Sequence, residues 1–109
     1  MSLRAVTDGD WDEVVLSSPV PVLADFWAPW CVPCAGVTAL VEQVAAEHRG
    51  RLTAVSVNVD DQPRLAGRYA ILGVPTLILF AGGQPVERLD GNIRAKRLAK
   101  ALAPHVDQE

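Results

Sequence analysis

Apolar and polar positions alternate in two different rhythms along this chain, and the switches between them mark its elements. Val22-Leu23-Ala24-Asp25-Phe26-Trp27 and Thr76-Leu77-Ile78-Leu79-Phe80 are apolar on successive residues. Runs with both faces apolar predict buried central strands. Leu52 to Val59, rich in valine, predicts a third. Leu3 to Val6 and Pro85 to Leu89 are shorter and more polar, which suits outer strands, and Pro85 belongs at a strand start or edge. Gly82-Gly83 between the last two strands predicts a tight antiparallel hairpin.

The second rhythm is helical. Val37, Leu40, Val41, Val44 and Ala45 recur at the spacing of one helix face, and Gly50 stops the run. Trp11, Val14 and Val15 predict a short first helix with Thr7 or Asp8 as its cap. Asp61 to Tyr69 predicts another, and Asn92 opens a last one that runs to about Leu102 before Pro104 ends it. The order is β-α-β-α-β-α-β-β-α. It predicts an α/β fold: a central mixed β-sheet of about five strands, sandwiched by four helices. With no linker, repeat or low-complexity segment, residues 1–109 read as a single domain.

Composition narrows the partners. The formal net charge is −3, and the clustered cations Arg94, Lys96 and Arg97 alternate with apolar residues as on a solvated helix face. No nucleic acid and no membrane surface is therefore expected as a partner. No apolar stretch approaches the roughly 18 residues that span a bilayer. Met1 to Trp11 has no signal-like apolar core, so the expected location is cytoplasmic. Nothing in the pattern demands more than a monomer.

In a reducing cytosol a cysteine pair is catalytic or metal-binding rather than structural. The chain has two cysteines, in Trp30-Cys31-Val32-Pro33-Cys34, between a predicted strand and a predicted helix. That setting reads as a dithiol cycling between reduced and disulfide forms. With the helix expected to begin near Val32, Cys31 falls at its positive N-terminus, where a thiolate is stabilised. Cys34 lies about a turn further in and should be less exposed. Cys31 is then the nucleophile and Cys34 the thiol that resolves the mixed disulfide. Pro33 costs little in a first helical turn and stiffens the loop. Lowering a thiol pKa from about 8.5 to about 7 multiplies the thiolate at neutral pH roughly 15-fold, and the accompanying loss of nucleophilicity takes back about fivefold. Positioning must supply most of the rate.

A zinc site is the rival. Thirteen residues separate Cys34 from His48, but no second histidine follows it and His105 lies far along the chain. Two sulfurs and one histidine do not close a tetrahedral site, so no metal is expected. His48 reads as a helix C-terminal residue and His105 as a surface one.

Asp25 interrupts an apolar strand, and a buried, unpaired carboxylate has its pKa raised toward the range where it moves protons. Lying six residues before Cys31, it could exchange a proton with Cys34 through water, or it could simply reach solvent at a strand end. Pro75 precedes a central strand as a rigid turn; the base rate alone favours trans. Of Trp27 and Trp30, which flank the dithiol, one should pack inside and one lie at the surface.

These residues together make essentially the whole chain resemble the thioredoxin family: Asp25-Phe26-Trp27-Ala28, Trp30-Cys31 through Cys34, Gly73-Val74-Pro75-Thr76, then Gly83 and Gly91. The resemblance implies the thioredoxin fold and a reductase of protein disulfides. It implies no bound cofactor, the electrons coming from NADPH through a flavin-dependent thioredoxin reductase. It also implies that Pro75 is cis and faces the dithiol, and that the backbone of Val74 pairs with an extended substrate. The docking surface carried over is Trp30, Val32, Pro33, Gly73, Val74, Pro75 and Gly91.

The chain departs from the family's pattern at several positions. Val32 replaces the usual glycine, Ala35 a common basic residue, Ser56 a common lysine near the buried acid, and Ala39 a common proline, and Asp90 adds a charge beside Gly91. Without the cation, Asp25 should be at least as hard to ionise as in its relatives. These departures leave two alternatives to a general reductase. One is a protein of shifted potential, acting as oxidant or isomerase or for a dedicated partner; the other is a binding module in which the dithiol is incidental.

Overall fold

A computed structural model describes residues 3–106. Five strands form one sheet: β1 (Arg4–Ala5), β2 (Val22–Trp27), β3 (Thr53–Asn58), β4 (Thr76–Ala81) and β5 (Gln84–Asp90), in the spatial order β1-β3-β2-β4-β5. β2 runs parallel to β3 and antiparallel to β4. The two fully apolar runs therefore lie inside the sheet, and the polar ones lie at its edges.

Both faces are covered. A short π-helical turn (Asp12–Leu16) and helix α2 (Pro63–Arg68) close one, over Trp11, Val22, Phe26, Val57, Leu65 and Phe80. Helices α1 (Cys34–Glu47) and α3 (Ala95–Val106) close the other, over Leu23, Val41, Leu77, Leu79, Leu98 and Leu102. Alternation along β2 decides which residue faces which layer. Asp25 shares the α1 side with Leu23, while Ala24 and Phe26 face the opposite core.

Three local expectations are corrected. The first helical segment is wound with i+5 bonding, Ser17 N–H donating to the Asp12 carbonyl at 2.9 Å. Its N-cap is Trp11, with no side-chain cap. Neither Thr7 nor Asp8 fills that role; instead Thr7 N–H donates to the Asp10 carboxylate at 2.8 Å. α3 does not stop before Pro104 but carries it in its last turn, because Leu102 and Val106, four apart on one face, are both buried. α3 also begins at Ala95, three residues past Asn92, with Leu98 N–H bonded to the Arg94 carbonyl.

The Gly82-Gly83 hairpin forms as expected, with φ of 60° and 80°. Both values suit a two-residue loop whose twist matches the flanking strands. A Cβ on Gly83 would meet the Leu16 carbonyl oxygen at 3.0 Å, whereas one on Gly82 meets nothing within 4 Å. Alanine at either position pays about 1 kcal/mol for the left-handed backbone, and Gly83→Ala should cost about 1 kcal/mol more for the contact. Urea unfolding of the two variants checks this; equal losses would remove the contact from the account.

Candidate active site

The C-terminal end of β2 delivers the chain into the turn 28–33 and then into α1. Cys31 N–H donates to the Ala28 carbonyl at 3.1 Å and Cys34 N–H to the Cys31 carbonyl at 3.2 Å. Regular helix begins at Cys34, two residues later than expected near Val32. Pro33 explains the delay: it disfavours helical backbone at the residue before it and has no N–H of its own. Cys31 stands just ahead of the helix, half-buried, whereas Cys34 is 2% exposed. The two sulfurs are joined in a disulfide. The first turn of α1 holds no acidic side chain, so no carboxylate competes with a thiolate for its unpaired N–H groups.

Asp25 does not reach solvent; its exposure is 0%. Its register partners are Ser56 on β3 and Leu77 on β4, so no cation faces it from the neighbouring strands. The Thr38 hydroxyl donates to its Oδ2 at 2.6 Å, and Oδ1 is buried without a hydrogen-bond partner. Burial pushes the Asp25 carboxyl up from 3.8 to about 6; the Thr38 hydrogen bond works against the rise and the charge of Glu42 adds to it. A pocket of about 420 Å³ opens beside it, lined by Trp27, Cys31, Cys34, Thr38, Glu42 and Ser56 among others. The dithiol and the residues bracketing the acid thus border one space.

Thr38 and Glu42 escaped the sequence reading, although a signal existed. Cys34, Thr38 and Glu42 recur every four residues, a polar row beside the apolar stripe of the same helix.

The docking residues carried over by resemblance fall into two neighbouring depressions. Pro33, Pro75 and Gly91 border a groove of about 570 Å³ with Val37, Leu40 and Ile93. Trp30, Gly73 and Val74 border a cleft of about 160 Å³ with Val59, Ile71 and Leu72. Val32 lines neither and is 88% exposed. The Val74–Pro75 peptide is cis. Its loop is held at both ends. Arg88 donates to the carbonyls of Tyr69 and Ala70 at 2.6 and 2.7 Å, and the Thr76 hydroxyl donates to the Gly73 carbonyl at 2.7 Å. Leu72, 96% exposed, is an addition that no periodicity announced.

Trp27 is half-buried against the dithiol pocket, and Trp30 is 66% exposed, its indole N–H donating to Asp60. The histidines take separate places: His48 caps the C-terminus of α1, and His105, half-buried rather than superficial, lies 3.3 Å from Glu87. Among the described residues no three His, Cys, Asp or Glu side chains group to hold a metal ion.

A dithiol at a strand-to-helix junction of an α/β sandwich, with a buried acid behind it, defines a thiol–disulfide oxidoreductase. The sequence profile of the thioredoxin family matches residues 2–104. Thioredoxin 1 of a Nostoc species is 43% identical over 93% of this chain and 94% of its own length. The thioredoxin of Pyropia yezoensis is 38% identical over 97% of this chain and 99% of its own. A bifunctional thioredoxin reductase/thioredoxin of Mycobacterium leprae is 48% identical over 79% of this chain, which matches 19% of that longer protein. The chain belongs to the thioredoxin family. Its activity is reduction of protein disulfides through the Cys31–Cys34 pair, without a bound cofactor.

Proposed function

We propose that this protein is a general cytoplasmic reductase of protein disulfides, in which Cys31 attacks and Cys34 resolves. The observation that carries the assignment is the unequal exposure of the pair: Cys31 is half-buried and Cys34 is 2% exposed. The Cys31 thiolate attacks one sulfur of the substrate disulfide, forming a mixed disulfide and expelling one substrate thiolate. Cys34 then attacks the Cys31 sulfur, closing the internal disulfide and releasing the second. Two electrons pass to the substrate. A flavin-dependent thioredoxin reductase returns them from NADPH; the Mycobacterium leprae relative, a bifunctional thioredoxin reductase/thioredoxin, supports such a partner.

Asp25 accepts the Cys34 proton as that thiol attacks, and its elevated pKa supports the role. An extended segment of the substrate lies against Val74 beside Pro75, over Trp30, Val32, Pro33, Gly73 and Gly91. The chain works as one domain over residues 1–109 and as a monomer, and its net charge of −3 supports protein partners over nucleic acid or a membrane surface.

The reduction potential tests this reading. Tryptophan fluorescence equilibrated in dithiothreitol redox buffers should report it, since Trp27 borders the dithiol pocket. The expected midpoint lies below about −260 mV, on the reducing side of the extracted cytosolic glutathione pool. A midpoint near or above that pool assigns the protein to oxidation or isomerisation instead.

A further inference from the structure

We propose that Thr38 is a positioning residue for the dithiol's proton exchange: its hydroxyl holds the Asp25 carboxylate through Oδ2 and leaves Oδ1 as the oxygen that takes the Cys34 proton. The inference deepens the proposed mechanism and rests on the assignment of Asp25 as proton acceptor.

A threonine inside a helix ordinarily returns its hydroxyl to the carbonyl one turn back. Thr38 instead reaches off α1 to Asp25 at 2.6 Å, a short bond of the charge-assisted kind. A buried carboxylate has about four acceptor sites and needs donors to remain ionised. Thr38 is the hydrogen-bond donor found for Asp25 among the described residues, and Oδ1 is buried with none. With one oxygen committed, a proton arriving at the carboxylate goes to Oδ1. Relayed through water, the proton leaves Cys34 Sγ and ends on Oδ1, and the thiolate left on Cys34 attacks the Cys31 sulfur.

Placement supports the coupling. Cys34 and Thr38 stand one turn apart on α1, and both border the dithiol pocket. The groups that act on Asp25 from α1 are Thr38 and Glu42, whose charge disfavours ionisation, and Cys34 borders the same pocket as both. Its register partners, Ser56 and Leu77, are uncharged. Among the described residues no cation acts on the acid, and the Thr38 hydrogen bond is the cause that favours its ionisation.

Thr38→Val keeps the shape and removes the donor, while Thr38→Ser keeps a hydroxyl. The carboxyl stretch of Asp25, followed by infrared spectroscopy across pH on the oxidised protein, should shift its midpoint upward by about one pH unit in Thr38→Val. In Thr38→Ser it should move by a few tenths at most. The same upward displacement should appear in the pH profile of disulfide turnover, which a purely structural role would not produce. Asp25→Asn separates the two levels. If it removes the Asp25-dependent limb of the profile while Thr38→Val leaves midpoint and limb in place, the assignment of Thr38 is overturned alone. A limb that survives Asp25→Asn overturns the reading of Asp25, and the assignment of Thr38 with it.

Discussion

Cys31→Ser leaves turnover of a protein disulfide at background, and Cys34→Ser does so while keeping the substrate attached. A serine hydroxyl is not ionised at neutral pH and cannot exchange with a disulfide sulfur, so losing Cys31 removes the first bond-forming step. The expected loss is on the order of 10³-fold or more. With Cys34 replaced, the first attack still occurs, because Cys31 stands ahead of α1 and is only half-buried. The mixed disulfide then has no internal thiol to break it and accumulates. Coupled turnover assays and non-reducing mass spectrometry read both results. Appreciable turnover by Cys31→Ser would remove the dithiol from the centre of the mechanism, and a substrate adduct trapped on Cys34 would invert the two roles.

Asp25→Asn makes the protein more stable at neutral pH and no more stable in acid. In the unfolded chain Asp25 titrates near its ordinary 3.8; in the folded one burial raises it to about 6. Below about pH 4 the group is protonated in both states and carries no penalty. Between about pH 4 and 6 the unfolded chain has given up its proton while the folded one still holds it, so stability falls across that window and levels off once the folded group ionises as well. The displacement corresponds to about 3 kcal/mol by pH 7.5. Asparagine at this position can still accept the Thr38 hydroxyl, so most of that cost should be recovered, about 2–3 kcal/mol. Urea unfolding of the two proteins at pH 4 and pH 7.5 makes the comparison. Every other carboxylate is shared and cancels in the difference. Equal stability at pH 7.5 would mean that Asp25 is not strained toward neutrality. The same variant should be slower in turnover, exchanging function for stability.

What the sequence disclosed follows from which physical effects leave a local trace. β2 and β4 were legible because residues apolar on both faces have no other comfortable place in a sheet of this size. The hairpin was legible because two consecutive glycines answer a backbone demand no other pair meets so easily. The π-helical turn was not, since Trp11, Val14 and Val15 are spaced alike for i+4 and i+5 winding. The end of α3 was misjudged because Pro104 speaks locally against a helix, while burial of Val106 is decided by the distant sheet.

At the site, Cys31, Cys34 and Asp25 stood out by violating their surroundings. Thr38 violated nothing; its place in the polar row with Cys34 and Glu42 gains its meaning once β2 lies beneath it. The proposed docking face is assembled from four separate stretches of chain, so its shape belongs to the tertiary structure alone.

The same sheet order bears on a hazard of this chemistry. A protein proposed to accept extended chains at Val74 invites strand pairing, and a sheet has two other places where that could happen. Here both outer margins are unwelcoming. β1 is two residues long. β5 carries Pro85 at a register irregularity, followed by the charges of Glu87, Arg88 and Asp90. Short, charged and proline-bearing margins are poor templates for another molecule's backbone. Strand pairing by a substrate is thus steered to the proposed site at Val74 and away from the margins of the sheet.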